Sequence, residues 1–140
     1  ILDLPATLEY LETAAVPVLG YQTDDFPAFY SLSSGLKASV RANSAQEIAA
    51  IAQAHWAIGM RSAVLVVQPP PAEVALPVEQ VEGAIQTALR DAEAAHVRGQ
   101  AVTPFLLKRV TELTGGASLE TNLALLKNNA RLAAGIAQYL

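Results

Sequence analysis

The chain has 140 residues, 13 acidic and 9 basic for a net charge of -4, and is 52% hydrophobic but only 16% charged, which fits one domain burying roughly two-thirds of its unfolded surface. So small a charged fraction, with a mean hydropathy of +0.30, predicts that part of the surface is covered by a partner or by more of the same protein, and the absence of any basic block argues against a polymeric nucleic acid as that partner. With no cysteine, disulfides, thiol catalysis and cysteine-ligated zinc are excluded, and since no apolar run approaches a membrane span and no charged n-region precedes one, the expectation is a soluble protein of the cytoplasm or of an organelle.

Asp3, Leu4 and Pro5 predict a helix start, because proline suits the first turn where its missing N–H costs nothing, and that helix should run to about Glu12. "VPVLGY", Val16 to Tyr21, reads as a short buried strand ending in the polar loop "QTDDFP". A further strand is expected near Lys37 to Arg41. In "SAQE", Ser44 can cap the amide three residues on while Glu47 reaches back, a capping box that opens a helix through Trp56 with a stop near Gly59. "SAVLVV", Ser62 to Val67, is the clearest strand, ended by "QPPPAE" because prolines cannot donate to a ladder. A long helix from about Val78 to His96 follows, then Thr103 and Pro104 as cap and first-turn pair of a helix to about Leu113. "TGGAS" is the hinge into a final helix that Ser118 would cap. Strands separated by helices predict an α/β fold, a mixed sheet flanked by helices. Two or three strands for five helices suggest the C-terminal part of a larger α/β/α enzyme fold.

The final helix poses a problem of its own. On a 3.6-residue period Asn122, Leu125, Leu126, Asn129, Leu132, Ala133 and Ile136 share one face, so two amides lie in the stripe that should be most apolar. An unpaired inward amide costs about 1 to 3 kcal/mol, so Asn122 requires a partner, either a neighbouring helix or a ligand. Asn128 projects about 100° away, beside Lys127 and Arg131, toward a solvated or intersubunit face. Asp24 and Asp25 follow a strand, where α/β folds place site residues; they can hold a divalent metal through water or order their own loop, and loop ordering or support of a nearby site is the preferred reading. Phe26, Phe29 and Tyr30 are expected to pack that loop. The "TGGAS" glycines could cradle an anion, but any helix stop followed by a helix start needs the same residues. His55 and His96 lack partners at ligand spacing and read as structural or surface residues, Trp56 as core or interface, and Lys108 and Arg109 as a solvated face.

"LPATLEYLET", "GYQTDDFPAFYSLSSG", "VTPFLLKRVTELTGGASLETN" and "LLKNNARLAAGIA" together resemble the pseudouridine-5'-phosphate glycosidase family, from Ile1 to about Ala137. The family runs to roughly twice this length, and the chain is similar to its C-terminal half. The resemblance implies an enzyme, usually a trimer, that reversibly splits the carbon-carbon glycosidic bond of pseudouridine 5'-phosphate into uracil and ribose 5-phosphate. It implies a lysine amine that forms a Schiff-base-type adduct with ring-opened ribose, a glutamic acid that moves protons, and a divalent metal, typically manganese, beside an aspartate. The same resemblance puts the lysine two residues before the position matched by Ile1 and the other groups further upstream. No catalytic residue is therefore expected here, and Lys37, Lys108 and Lys127 do not stand in the matching motif. The implied partners are the N-terminal half of the same enzyme or a companion chain. Asn122 best matches the family's base-contacting asparagine, with Asn129 the second candidate for the uracil pocket. The alternative is a non-catalytic interaction or nucleobase-binding module that keeps only the scaffold.

Overall fold

The computed structural model describes residues 3–140. Helix α1, Leu4–Thr13, is capped by Asp3, whose carboxylate accepts from the Ala6 N–H at 3.1 Å, with Pro5 inside the first turn. None of its residues is buried. Strands β1, Val18–Tyr21, β2, Val40–Ala42, and β3, Leu65–Val67, form one sheet in the order β2-β1-β3. Both pairings are parallel, Leu19 opposite Val40 on one side and opposite Val66 on the other. The sheet among the described residues is thus purely parallel rather than mixed. Antiparallel pairing is confined to isolated bridges at Asp25–Lys37 and Ala28–Ser31 in the loop that follows β1.

Between β2 and β3 runs α2, Ala45–Ala57, opened by the expected capping box: Ser44 Oγ accepts from the Glu47 N–H at 3.1 Å. Glu47 reaches one residue further back than the usual pattern and accepts from the Asn43 N–H at 2.8 Å. Helices α3, Val78–Ala94, α4, Val102–Leu113, and α5, Ala117–Ala137, complete the chain, with a 3-10 turn, Gly99–Ala101, leading into α4. Because that turn already supplies the helical approach, α4 starts at Val102, and Thr103 lies inside the helix instead of capping it.

Two apolar clusters hold these elements. Leu19, Ala42 and Ile48 are buried together, with Tyr21, Ile51, Val64, Val66, Leu132 and Ile136 packed around them, so α2 and α5 cover one face of the sheet. On the other face the loop after β1 lies so close that a Cβ built on Gly20 would stand 2.2 Å from the Thr23 carbonyl oxygen. The second cluster joins α3 to α4: Val81, Ala84, Ala88 and Ala92, at helical spacing, meet Leu106 and Val110, with Tyr30 from the loop. Alanines at three of those positions let the two helix backbones approach closely. Ser31 Oγ donates to the Leu76 carbonyl at 2.8 Å and the Leu76 N–H donates to the Tyr30 carbonyl at 2.8 Å, tying this helix pair to the loop after β1.

Helix α5 is rotated from its sequence-based orientation. Ser118, Thr121 and Leu125 are its buried residues, whereas Leu126, expected to face inward, is 55% exposed. Leu119 and Leu123 are also about half exposed on the same outer side, at 49% each. The apolar residues of α5 therefore serve two faces, and only one is covered here. That fits the composition-based expectation of a covered surface, as do Ile58 and Trp56, which are 79% and 45% exposed.

Candidate functional site

In an open parallel sheet, ligands bind beyond the carboxyl ends of the strands. At that edge the sequence places Gln22 to Asp25 after β1, Asn43 and Ser44 after β2, and Gln68 before the prolines that end β3. Polar side chains knit the first two loops together. Arg41 donates from Nη1 to Asp24 Oδ2 at 3.0 Å and from Nε to Asn43 Oδ1 at 2.9 Å, and the Gln22 amide donates to the Asn43 carbonyl at 3.4 Å. Asp25 pairs with Lys37 at 2.5 Å. The hydrogen bond from Lys37, helped by one from Ser33, holds the Asp25 carboxyl below the usual carboxylate range, and the same bond raises Lys37.

Each carboxylate thus has its own cation. Among the described residues no three His, Asp or Glu side chains gather as a metal site, and a divalent ion brought to Asp24 or Asp25 would have to displace Arg41 or Lys37. The residues present do not fit the divalent metal implied by the family resemblance. A nucleophilic amine is activated when its pKa is lowered. Lys37 is shifted the opposite way, and Lys108 is an exposed partner of Glu112 at 4.0 Å. Lys127 lies on the outer side of α5, in a shallow groove shared with Pro71, Val74 and Leu123.

Asn122 is half-buried next to the fully buried Thr121, whose hydroxyl donates to the carbonyls of Val74 and Ala117. Among the described residues the Asn122 amide has no hydrogen-bond partner, and its partial exposure leaves it open to solvent or a ligand. Asn129, two turns further on, is exposed and accepts from Gln68 Nε2 at 2.8 Å. The cue to Gln68 in the sequence is its position between an apolar strand and a proline run. Asn128 accepts from Arg131 Nη1 at 3.2 Å, away from that pair.

The other sequence candidates fall outside this edge. Phe26 and Tyr30 are buried in the loop, and Phe29, at a φ of 63°, stacks edge-on against Tyr30 with ring centroids 4.6 Å apart. Gly115 and Gly116 take φ values of 59° and 91°, and Gly116 precedes α5 directly, so Ser118 is no cap. Its own N–H is taken by Thr114 Oγ1 at 3.2 Å. His55 hydrogen-bonds Ser62 Oγ at 2.8 Å, and Ser62 donates to the Ala15 carbonyl. Trp56 Nε1 reaches the Ser62 carbonyl at 3.2 Å, as its indole requires, while its ring remains partly exposed. His96 follows α3 with a φ of 52°. Arg109 keeps about a third of its side chain exposed while bonding Asp91 at 2.6 Å and Glu112 at 3.0 Å, which joins α3 to α4, and the Asp91 bond raises its pKa.

Comparison with known proteins agrees with the resemblance in the sequence. The chain is 49% identical over 140 residues to the pseudouridine-5'-phosphate glycosidase of Solibacter usitatus, covering 100% of this chain and 47% of that protein. It is 54% identical over 137 residues to that of Gemmatimonas aurantiaca, covering 98% of this chain and 45% of the relative. The chain therefore spans somewhat less than half the length of the curated relatives it matches. Among solved structures it superimposes on the prealnumycin C-glycosynthase AlnA, crystallised in complex with ribulose 5-phosphate, with a TM-score of 0.87 and 34% identity, covering 99% of this chain and 45% of that one. An indigoidine synthase A-like protein from Thermotoga maritima gives a TM-score of 0.86 at 38% identity, covering 98% of this chain and 45% of its own. Residues 1–139 match the family of indigoidine synthase A-like proteins, and the chain belongs to that family.

Proposed function

We propose that this chain is the C-terminal portion of an enzyme that reversibly cleaves the carbon-carbon glycosidic bond of pseudouridine 5'-phosphate to uracil and ribose 5-phosphate. The observation that carries this reading is 49% and 54% identity, over 98% or more of the chain, to relatives of that name. The neighbouring C-glycosynthase, whose name and bound sugar phosphate point to related C-glycoside chemistry, supports it. In this reading the chain forms one wall of the uracil pocket at the carboxyl edge of the sheet, with Asn122 and Asn129 as the base-facing amides. Asp24 and Asp25 order the adjoining loop.

The chemistry comes from outside these residues. A carbon leaving group is poor, so an amine that converts the sugar carbon into an electron sink divides one hard step into easier ones. That lysine, the proton-transfer acid and the divalent cation, manganese by the resemblance, belong to the companion segment. The working form is a cytoplasmic homo-oligomer, a trimer by the same resemblance, and the exposed apolar residues of α2 and α5 are available to the companion segment or to subunit contacts.

The reading is tested by incubating the complete protein, supplied with manganese, with pseudouridine 5'-phosphate and following free uracil by chromatography. The complete protein should release uracil, and this chain by itself should release none. A folded complete protein that binds uracil but never releases it from the nucleotide would replace the enzyme with a nucleobase-binding module.

A further inference from the structure

The hydrogen bond between Gln68 and Asn129 joins residues 61 positions apart at the end of β3 and on α5. Joined through one amide N–H and one amide oxygen, the pair leaves Gln68 Oε1 and Asn129 Nδ2 without partners among the described residues, an acceptor and a donor held together. Were both amides flipped, the pair would still offer one acceptor and one donor. Asn122 lies seven residues before Asn129 on the same side of α5, about 10.5 Å along the helix axis.

Uracil has two imide edges of this kind, N3–H beside O4 and N1–H beside O2. A C5-linked nucleotide keeps both protons. An N1-linked nucleotide has lost one, because its sugar occupies N1. We infer that Gln68, acting with Asn129, reads the N1–H and O2 edge of the base while Asn122 reads the N3–H and O4 edge, which makes Gln68 a specificity-determining residue for C-linked over N-linked uracil nucleotides. This rests on the function proposed above and adds a residue and a selection rule to it. The bond from Nε2 fixes the Gln68 side chain before the base arrives, so little rotamer entropy is lost on binding. A binding amide also discriminates strongly, because an analogue lacking the proton leaves a polar group unpaired.

Isothermal titration of the complete protein with uracil, 1-methyluracil and 3-methyluracil tests the assignment. The unaltered protein should bind uracil at least tenfold more tightly than either methylated base. Gln68→Met should abolish the preference for uracil over 1-methyluracil and retain the preference over 3-methyluracil, with an unchanged melting temperature. Asn129→Leu, at an exposed helix position, should do the same. Asn122→Ala should show the converse pattern. Full retention of the 1-methyluracil preference in Gln68→Met, while Asn122→Ala still weakens uracil, would overturn this inference and leave the proposed function standing. A complete, folded protein that binds no uracil at all would remove both.

Discussion

Gly20→Ala is expected to destabilise the fold by about 3 kcal/mol, the upper part of the range for inserting a methyl group where no space exists. The cause is steric. The added Cβ would lie 2.2 Å from the Thr23 carbonyl oxygen and 3.2 Å from the Ala38 Cβ. The nearer contact is backbone, which cannot swing aside as the end of a long side chain would. Gly20 sits in the central strand, paired with Arg41 on one side and Val67 on the other. The strand is held in place, and the turn at Thr23 must move. That turn carries Asp24 and Asp25, so the links to Arg41 and Lys37 should weaken with it. Urea unfolding of the complete protein measures the effect. A loss below about 0.5 kcal/mol, within the range of ordinary surface substitutions, would mean that the loop does not press on the sheet as described.

Asn122→Ala should weaken uracil binding by roughly 5- to 150-fold, the equivalent of about 1 to 3 kcal/mol for leaving a polar group of the bound base unpaired. The unliganded protein should be almost unaffected, because the Asn122 amide has no partner among the described residues and so no internal hydrogen bond is lost. Formation of the ribose 5-phosphate adduct should be largely preserved. This separation distinguishes a base-reading residue from a structural one: a helix-linking asparagine would lower stability and depress both activities together. Uracil affinity by titration, read beside adduct yield by intact mass, gives both numbers. Equal loss of the two would remove the base-reading role.

What the sequence discloses here follows the range of the forces involved. The Ser44 cap and Asp3 cap are legible because they join atoms three residues apart. Strand β1 is legible because its buried residues Val18 to Gly20 form part of a continuous apolar run. Ser118 misleads for the same local reason: it resembles a cap, but Gly116 in the left-handed region ends the preceding turn first, and Thr114 satisfies the Ser118 amide. The rotation of α5 is hidden because leucines line two of its sides, and hydrophobicity alone does not say which side meets the sheet. Gln68 is hidden more deeply. Its bond to Asn129 exists only after the chain has brought β3 against α5, and nothing in the local pattern marks a glutamine before a proline. The remainder, a lysine, a glutamic acid and a metal site outside these residues, is what the family resemblance implies.

In the proposed enzyme this chain reads the base while a lysine elsewhere holds the sugar. The most direct measurement is borohydride trapping of the complete protein with ribose 5-phosphate, followed by proteolysis and mass mapping of the modified peptide. A single reduced sugar adduct is expected on a lysine outside these 140 residues, with Lys37, Lys108 and Lys127 unmodified. An adduct on any of those three would contradict it and move the nucleophile into this chain.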